Sequence, residues 1–578
     1  MGEAAMRKKA QKKFRIRGFT LKVDALDAVL SFISRFPEAE EEALEILIDG
    51  IEKESLKSTI LDKEAVQTVI DLLLEAESAI DPTSTSVSSR TALRVIDAFV
   101  IPRFRYDPIK NVFYEHTGKL PIHGEAADKA ALYRDRYQLM LQRLTRDKYF
   151  STPAFVTELM EDESCKITTI QSLTGCKGRR WITGVISQLE EGRFYLEDLT
   201  AAIAIDLSDA ISFLYLHTRF YLISSLKLCN PDKFNPPILK HISGKCCNED
   251  IIYLNTKHKI TSGFFVENTV IVAEGELQLD CTFKVSTCGF PPLENREVSV
   301  KQLMGLDFFG GGILSAEETL RLSELEEMAV NDMFVILSDV WLDDEETMKK
   351  LAVVLDGYES VEAVPSLFVL MGNFCSKPCN LAFHSFSDLR MQFKKLGEMI
   401  QSRKRIMEQS RFLFIPGPDD IGPAKVLPRC ALPKYLTEEL QKLVPNAIFS
   451  TNPCRIKFYT QEIVFFRQDL LYRMRRACLV PPSTEETTDP FEHLVATITH
   501  QSHLCPLPLT VEPIIWNYDH CLRLYPTPHT IVLGDKSEQK AFKYSGITCF
   551  NPGSFSKDAT FAAYRPCTKD VELSGLES

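Results

Sequence analysis

Asp339, Asp419, Asp420 and His503 are residues of the types that hold a divalent cation over a phosphoester. The three aspartates close apolar runs. Phe334-Val-Ile-Leu-Ser-Asp339-Val-Trp341 carries one, and Phe412-Leu-Phe-Ile-Pro-Gly-Pro-Asp419-Asp420 carries two. Between them, Leu367-Phe-Val-Leu-Met-Gly-Asn373-Phe374 ends on an amide. Two cations held about 3.5–4 Å apart would stabilise both the attacking and the leaving oxygen of a phosphodiester. Such a pair needs a charged bridging oxygen and imidazole ligands. Asn373 supplies only a neutral carbonyl, and the Trp341 indole has an N–H donor and no lone pair for a metal.

The elements that must position these residues are legible as strands. Continuous apolar runs bounded by turn residues predict strands buried on both faces, with their tips at one sheet edge. Helix-forming segments at 345–355 and 386–408 lie between them, and further strands are expected at 447–467, 530–535 and 547–555. Helices feeding both faces of a central sheet give an α/β sandwich. This skeleton resembles the calcineurin-like phosphoesterases, whose tips read D-x-H, G-D and G-N-H-D. Against that pattern Trp341 stands for a histidine and Asn373 for the bridging aspartate. Pro418 and Asp419 stand for the asparagine and histidine of the third tip. The resemblance implies a fold kept and a chemistry lost. No catalytic, metal or cofactor residue is assigned, and Asp339, Trp341, Asn373, Asp419 and His503 are vestigial positions. His503 and His529 lack partners of the right type and are read as structural. Two other readings stand beside this one: strand ends of an unrelated α/β fold, and an altered one-metal site built from Asp339, Asp419, Asp420 and His503.

At 578 residues the chain is too long for one core. Its net charge of −12 argues against a surface devoted to gripping nucleic acid and leaves room for protein binding or a small basic patch. The 16 cysteines form no regular ladder, which fits a reducing compartment, and Cys375-Ser-Lys-Pro-Cys379 is a weak zinc-knuckle candidate. The basic cluster Arg7 to Arg17 precedes no apolar signal segment, and reads as either an import signal or a solvated helix face. Residues 211–228 are apolar, but Arg219 and His217 at their centre exclude a membrane span.

Four regions are expected. Residues 1–75 form a helical module, with Ala25, Leu26, Val29, Phe32 and Ile33 at helical spacing, closed by a Ser/Thr-rich boundary at 81–90. Residues 76–166 are a linker and helical connection. Residues 167–295 contain five short strands, and Gly184 with Leu196-Glu-Asp-Leu-Thr resembles an OB-fold β-barrel. Such barrels bind single strands through exposed aromatics; here Phe194 and Tyr195 are read as core, protein interface or nucleic-acid contacts. Residues 296–578 are the inactivated phosphoesterase-like domain. The aperiodic, basic stretch 211–259 interrupts the barrel and is read as a non-native insertion that could be deleted without harm.

Lys13-Phe-Arg-Ile-Arg-Gly-Phe, Ile101-Pro-Arg-Phe, Phe194-Tyr-Leu-Glu-Asp, Asp307-Phe-Phe-Gly-Gly, Leu337-Ser-Asp-Val-Trp-Leu-Asp343, Ser450-Thr-Asn-Pro-Cys-Arg-Ile-Lys and Asn551-Pro-Gly-Ser-Phe carry a further resemblance. Together with Phe414-Ile-Pro-Gly-Pro-Asp-Asp they are similar to the B-subunit family of DNA polymerase epsilon, over nearly the whole chain outside 211–259. Asp307 departs from it, since the family often has asparagine there. The resemblance implies a nuclear, non-catalytic accessory subunit acting in DNA replication. It implies binding to the C-terminal region of the catalytic subunit and attachment of residues 1–75 to the GINS-containing replicative helicase. DNA contact would be weak or indirect, and no cofactor is implied. The equivalent subunits of polymerases alpha and delta share the barrel and the inactive phosphoesterase; the helical module favours epsilon.

Overall fold

The computed structural model describes residues 3–33 except 18, scattered positions between 44 and 70, and residues 92–576 apart from 148, 151–165, 191, 213–262, 304, 379–382, 423–424 and 483–486. The chain forms two compact units, Met1–Ala92 and Leu93–Ser578.

The first unit has its own core. Helices α1 (Glu3–Ile16) and α2 (Val23–Ile33) pack Phe14, Leu26, Val29 and Phe32 against Leu44, Leu47, Val66 and Ile70. The helical spacing read from the sequence places these side chains on the buried face. Thr20–Leu21 and Ile60–Leu61 add a short parallel pair to the expected helices.

The second unit opens with strand β1 (Leu93–Asp97) and helix α3 (Ala126–Leu144), which starts on a capping box between Glu125 and Asp128. Strands β2 (Arg180–Glu190), β3 (Arg193–Glu197), β4 (Ala202–Asp206), β5 (Val270–Leu277) and β6 (Thr282–Gly289) follow. They close into a barrel in which β5 pairs with both β2 and β6, and β6 returns to β4 in parallel. Two glycines permit the tight closure. A Cβ on Gly184 would lie 2.7 Å from the Glu197 carbonyl oxygen, and one on Gly275 would lie 2.2 Å from that of Lys284. Phe194 packs against the barrel core. Of the stretch 211–259, Ile211–Ser212 pair in parallel with Thr287–Cys288; the remainder lies outside the described residues, as do residues 213–228 of the candidate span and Cys379.

Two six-stranded sheets make up the rest, where one central sheet was expected. The first contains β7 (Phe334–Ser338), β8 (Leu367–Met371), β9 (Arg411–Ile415) and β10 (Ala447–Phe449), all parallel. The second contains β11 (Cys454–Phe458), β12 (Gln461–Arg467), β13 (Thr530–Gly534), β14 (Lys540–Tyr544) and β15 (Ile547–Asn551). Strands β16 (Thr560–Arg565) and β17 (Asp570–Gly575) return to the first sheet beside β7. The sheets face each other through Phe334 against Phe458, with ring centroids 4.9 Å apart, and Tyr564 against Phe550. Helices α4 (Glu345–Ser360), α5 (Phe383–Gln401) and α6 (Lys434–Leu443) share a core with β7, β8 and β9. Helices α7 (Leu470–Ala477) and α8 (Pro490–His500) share another with β12 and β13.

Residues 76–166 are more than a connection from Leu93 onward. Strand β1 pairs antiparallel with β11 and forms an edge of the second sheet. The barrel and the sandwich likewise form one body. The Gln501 side-chain amide donates to the Val270 carbonyl and accepts from its N–H, both at 2.8 Å, in effect adding a strand partner to β5. Arg143 of α3 donates to the Ser502 hydroxyl and the Pro292 carbonyl, so α3 bridges both parts.

Burial holds four histidines of this body neutral. His500 and His503 are lowered to about 4, and His520 and His529 to about 3. An unfolded chain takes up protons on these imidazoles below their ordinary value of about 6.5, whereas the folded chain does not, so stability falls as pH drops through the window from about 6.5 to 4. Burial raises Asp332 and Asp420 to about 6, which acts in the opposite direction between about 6 and 4. Burial raises Asp535 as well; with four histidines against three carboxylates, and the histidine window opening at the higher pH, the thermal midpoint of the second unit is expected to fall between pH 7 and pH 5. A midpoint that is flat or rises over that range would contradict the neutral assignment.

Candidate functional site

The apolar runs singled out in the sequence lie side by side with their tips level. Ser338 is in register with Met371, and Met371 with Ile415. The Asp339 amide donates to the Gly372 carbonyl, and the Gly372 amide to that of Ile415. Asp339 sits at φ +61°, a conformation that aspartate tolerates better than most residues. Its carboxylate is 1% exposed and faces the second sheet, where Arg467 ends β12 in register with Gly534 of β13.

Arg467 occupies the junction. Its fully buried guanidinium donates from Nη2 to Asp339 Oδ1 at 3.3 Å and from Nη1 to Asp469 Oδ1 at 2.7 Å. Nε donates to the Gly372 carbonyl and Nη1 also to that of Gly534. The other Asp339 oxygen accepts from the Ser554 hydroxyl at 2.9 Å and that of Ser556 at 3.4 Å. Asn452 fixes the arginine backbone, accepting from its N–H at 3.0 Å and donating to its carbonyl at 2.6 Å. Burial pushes Asp469 up, but Arg467 and Lys536 together hold it below its ordinary value.

The other tip residues are occupied in shaping their loop. Asn373 Oδ1 accepts from the Asp419 amide at 2.9 Å, while the Asp419 carboxylate pairs with Lys425 at 2.6 Å. Asp420 accepts from the Phe374 and Gly417 amides at 2.8 and 2.7 Å, and below it Arg429 donates to the Pro418 and Asp420 carbonyls. Trp341 is half-buried beyond the end of β7. His503 is held elsewhere. Its Nε2–H donates to Asp519 at 3.2 Å, and Nδ1 accepts from the Cys505 amide, in a buried cluster with Arg136 and Arg523. His529 Nδ1 accepts from the Glu462 amide, a backbone-supporting role.

The structure thus brings Asp339, Asn373, Asp419 and Asp420 to one edge and leaves His503 out of it. A two-metal centre does not fit the donors at this edge. Its principal carboxylate is paired with a permanent cation and accepts from two hydroxyls, and among the described residues no group of three or more His, Cys, Asp or Glu side chains could hold a metal ion. Sequence reasoning missed Arg467, Asn452 and Ser554. A signal was present: an arginine terminates the otherwise apolar run Ile463-Val-Phe-Phe-Arg467, where a buried charge must have a partner.

Family models match three parts of the chain. "DNA polymerases epsilon N terminal" matches residues 2–72. "DNA polymerase epsilon subunit 2-like, OB-fold domain" matches residues 126–229. The model for the B-subunit of DNA polymerases alpha and epsilon matches residues 334–543. The DNA polymerase epsilon B-subunit of Arabidopsis thaliana is 58% identical over 571 residues, covering 99% of both chains. DNA polymerase epsilon subunit 2 of Bos taurus is 33% identical over 589 residues, covering 100% of both. The epsilon B-subunit of Schizosaccharomyces pombe is 27% identical over 519 residues, covering 86% of this chain and 78% of its own. Identity of this order over nearly the whole of both chains fixes the assignment: the chain belongs to the DNA polymerase epsilon B-subunit family.

Proposed function

We propose that this chain is a scaffold whose phosphoesterase-like centre has been converted from a metal site into a structural joint. As a family member it is a non-catalytic accessory subunit of DNA polymerase epsilon. The observation that carries the proposal is the commitment of Asp339 to Arg467, Ser554 and Ser556. An arginine is always protonated, so it neutralises the carboxylate at any physiological pH without binding an exchangeable ion. Asp339, Trp341, Asn373 and Asp419 are then vestigial with respect to catalysis. The barrel and sandwich, fused into one body, bind the C-terminal region of the catalytic subunit. The separately folded unit Met1–Ala92 attaches the assembly to the replicative helicase, and the protein works in the nucleus.

Three outcomes follow. The purified chain should hydrolyse neither nucleic acid nor phosphodiester dyes in manganese, as read by product release. Turnover abolished by Asp339→Ala would instead support the one-metal reading. Arg467→Ala should lower the stability of the second unit by about 3–5 kcal/mol in denaturant titration, because it leaves the buried Asp339 carboxylate without its cation. Adding Asp339→Asn should recover part of that loss, whereas strictly additive losses would place the two residues in unrelated interactions. Deleting residues 1–75 should leave co-purification with the catalytic subunit intact and weaken that with the helicase. Loss of the catalytic subunit would assign the N-terminal unit a different role.

A further inference from the structure

Beside the Arg467 joint an open cavity of about 720 Å³ shares Asp469 with it. Its acidic wall is already engaged within the fold. Asp469 pairs with Arg467 and, at 3.2 Å, with Lys536. Asp535 accepts the amides of Leu471 and Ser537. The rim is basic and aromatic. Helix α7 buries Leu470 and Met474 and turns Tyr472, Arg475 and Arg476 outward, at positions three and four apart that share one face. Arg475 is exposed. Arg476 lies over the Tyr472 ring, 5.6 Å from its centroid, and donates to the tyrosine hydroxyl. The tyrosine is 64% exposed, a large aromatic surface left uncovered. In a chain of net charge −12, this concentration of cations runs against the overall sign.

We propose that this cavity binds single-stranded nucleic acid, with Arg475 and Arg476 on the phosphates and a base stacked on Tyr472. Guanidinium groups match phosphate oxygens in geometry and charge, and an aromatic face accepts any base, so the site would be tolerant of sequence. An acidic peptide would use the same cations, but it has no use for an exposed ring edged by a guanidinium. The proposal does not depend on the scaffold reading, since it uses none of the residues of the joint beyond the neutralised Asp469.

The test is fluorescence anisotropy of a labelled oligothymidylate against the full chain, across a salt series. Arg475→Glu with Arg476→Glu is expected to weaken binding by about tenfold or more and to flatten the salt dependence, and Tyr472→Ala to weaken it several-fold at every salt concentration. Because these side chains are exposed, thermal unfolding of each variant should match the parent chain. Oligonucleotide affinity unchanged in all variants would overturn the proposal. It would also be overturned if a polyglutamate peptide of equal charge displaced the oligonucleotide as well as unlabelled oligothymidylate does, which would mark an acidic-protein site.

Discussion

A single buried guanidinium joins the two sheets at the edge where their parallel strands end. Moving a charge into such a place costs several kcal/mol unless each donor finds a strong acceptor. Arg467 meets that condition with two carboxylates and two glycine carbonyls, one carbonyl from each sheet. The close approach requires bare backbone. A Cβ on Gly534 would lie 2.7 Å from Ser338 Oγ and 2.9 Å from Arg467 Cδ, while one on Gly372 would lie 1.8 Å from Asp420 Oδ2. The glycines and the arginine are therefore parts of one device, and the loops carrying Asn373, Asp420 and Ser554 are shaped around it.

That device explains why the carboxylates at the tips leave no hole between the sheets. A bare cluster of carboxylates between two sheets would repel itself and draw in water. Here the positive charge is part of the chain and stays whatever metals are available. Asparagine at 373 fits the same logic. With the guanidinium in place a second carboxylate is not needed, and the amide is free to shape the Asp419 turn. The sheet edge thereby becomes a rigid connection between layers.

The apolar runs and their parallel order were legible because strands buried on both faces write continuous hydrophobic sequence. The barrel strands were legible through alternation and glycine placement. Most strands of the second sheet were legible too, but not their assembly into a separate sheet, because β1 and β11 pair across more than 350 residues and pairing partners leave no local trace. Nor was the cation at the joint. Arg467 reads locally as the polar end of a strand, and only the fold brings it to Asp339. His503 illustrates the converse. Its residue type suggested the site, but its position after α8 directs it into a different buried cluster.

That second cluster bears on how the body behaves as a whole. Arg103, Arg136 and Arg523 meet Asp135 and Asp519 where α3 crosses the sandwich, with Arg136 and Asp519 bonded at 2.5 Å. Arg455 adds four backbone carbonyls, two from the Phe308–Phe309 turn and two from Cys521 and Arg523, while Lys457 holds Asp307 of the same turn. These groups come from segments distant in sequence. Burying so many charges adds little net stability compared with apolar packing, but each has one geometry that satisfies it, so the network fixes how α3, the glycine turn and the sandwich meet. Asp307 accepts the Gly310 and Gly312 amides on its two carboxylate oxygens and pairs with Lys457, where an asparagine would offer one acceptor oxygen and no charge. A protein that carries no chemistry still needs a defined shape, and here polar interlocks on both sides of the second sheet hold that shape.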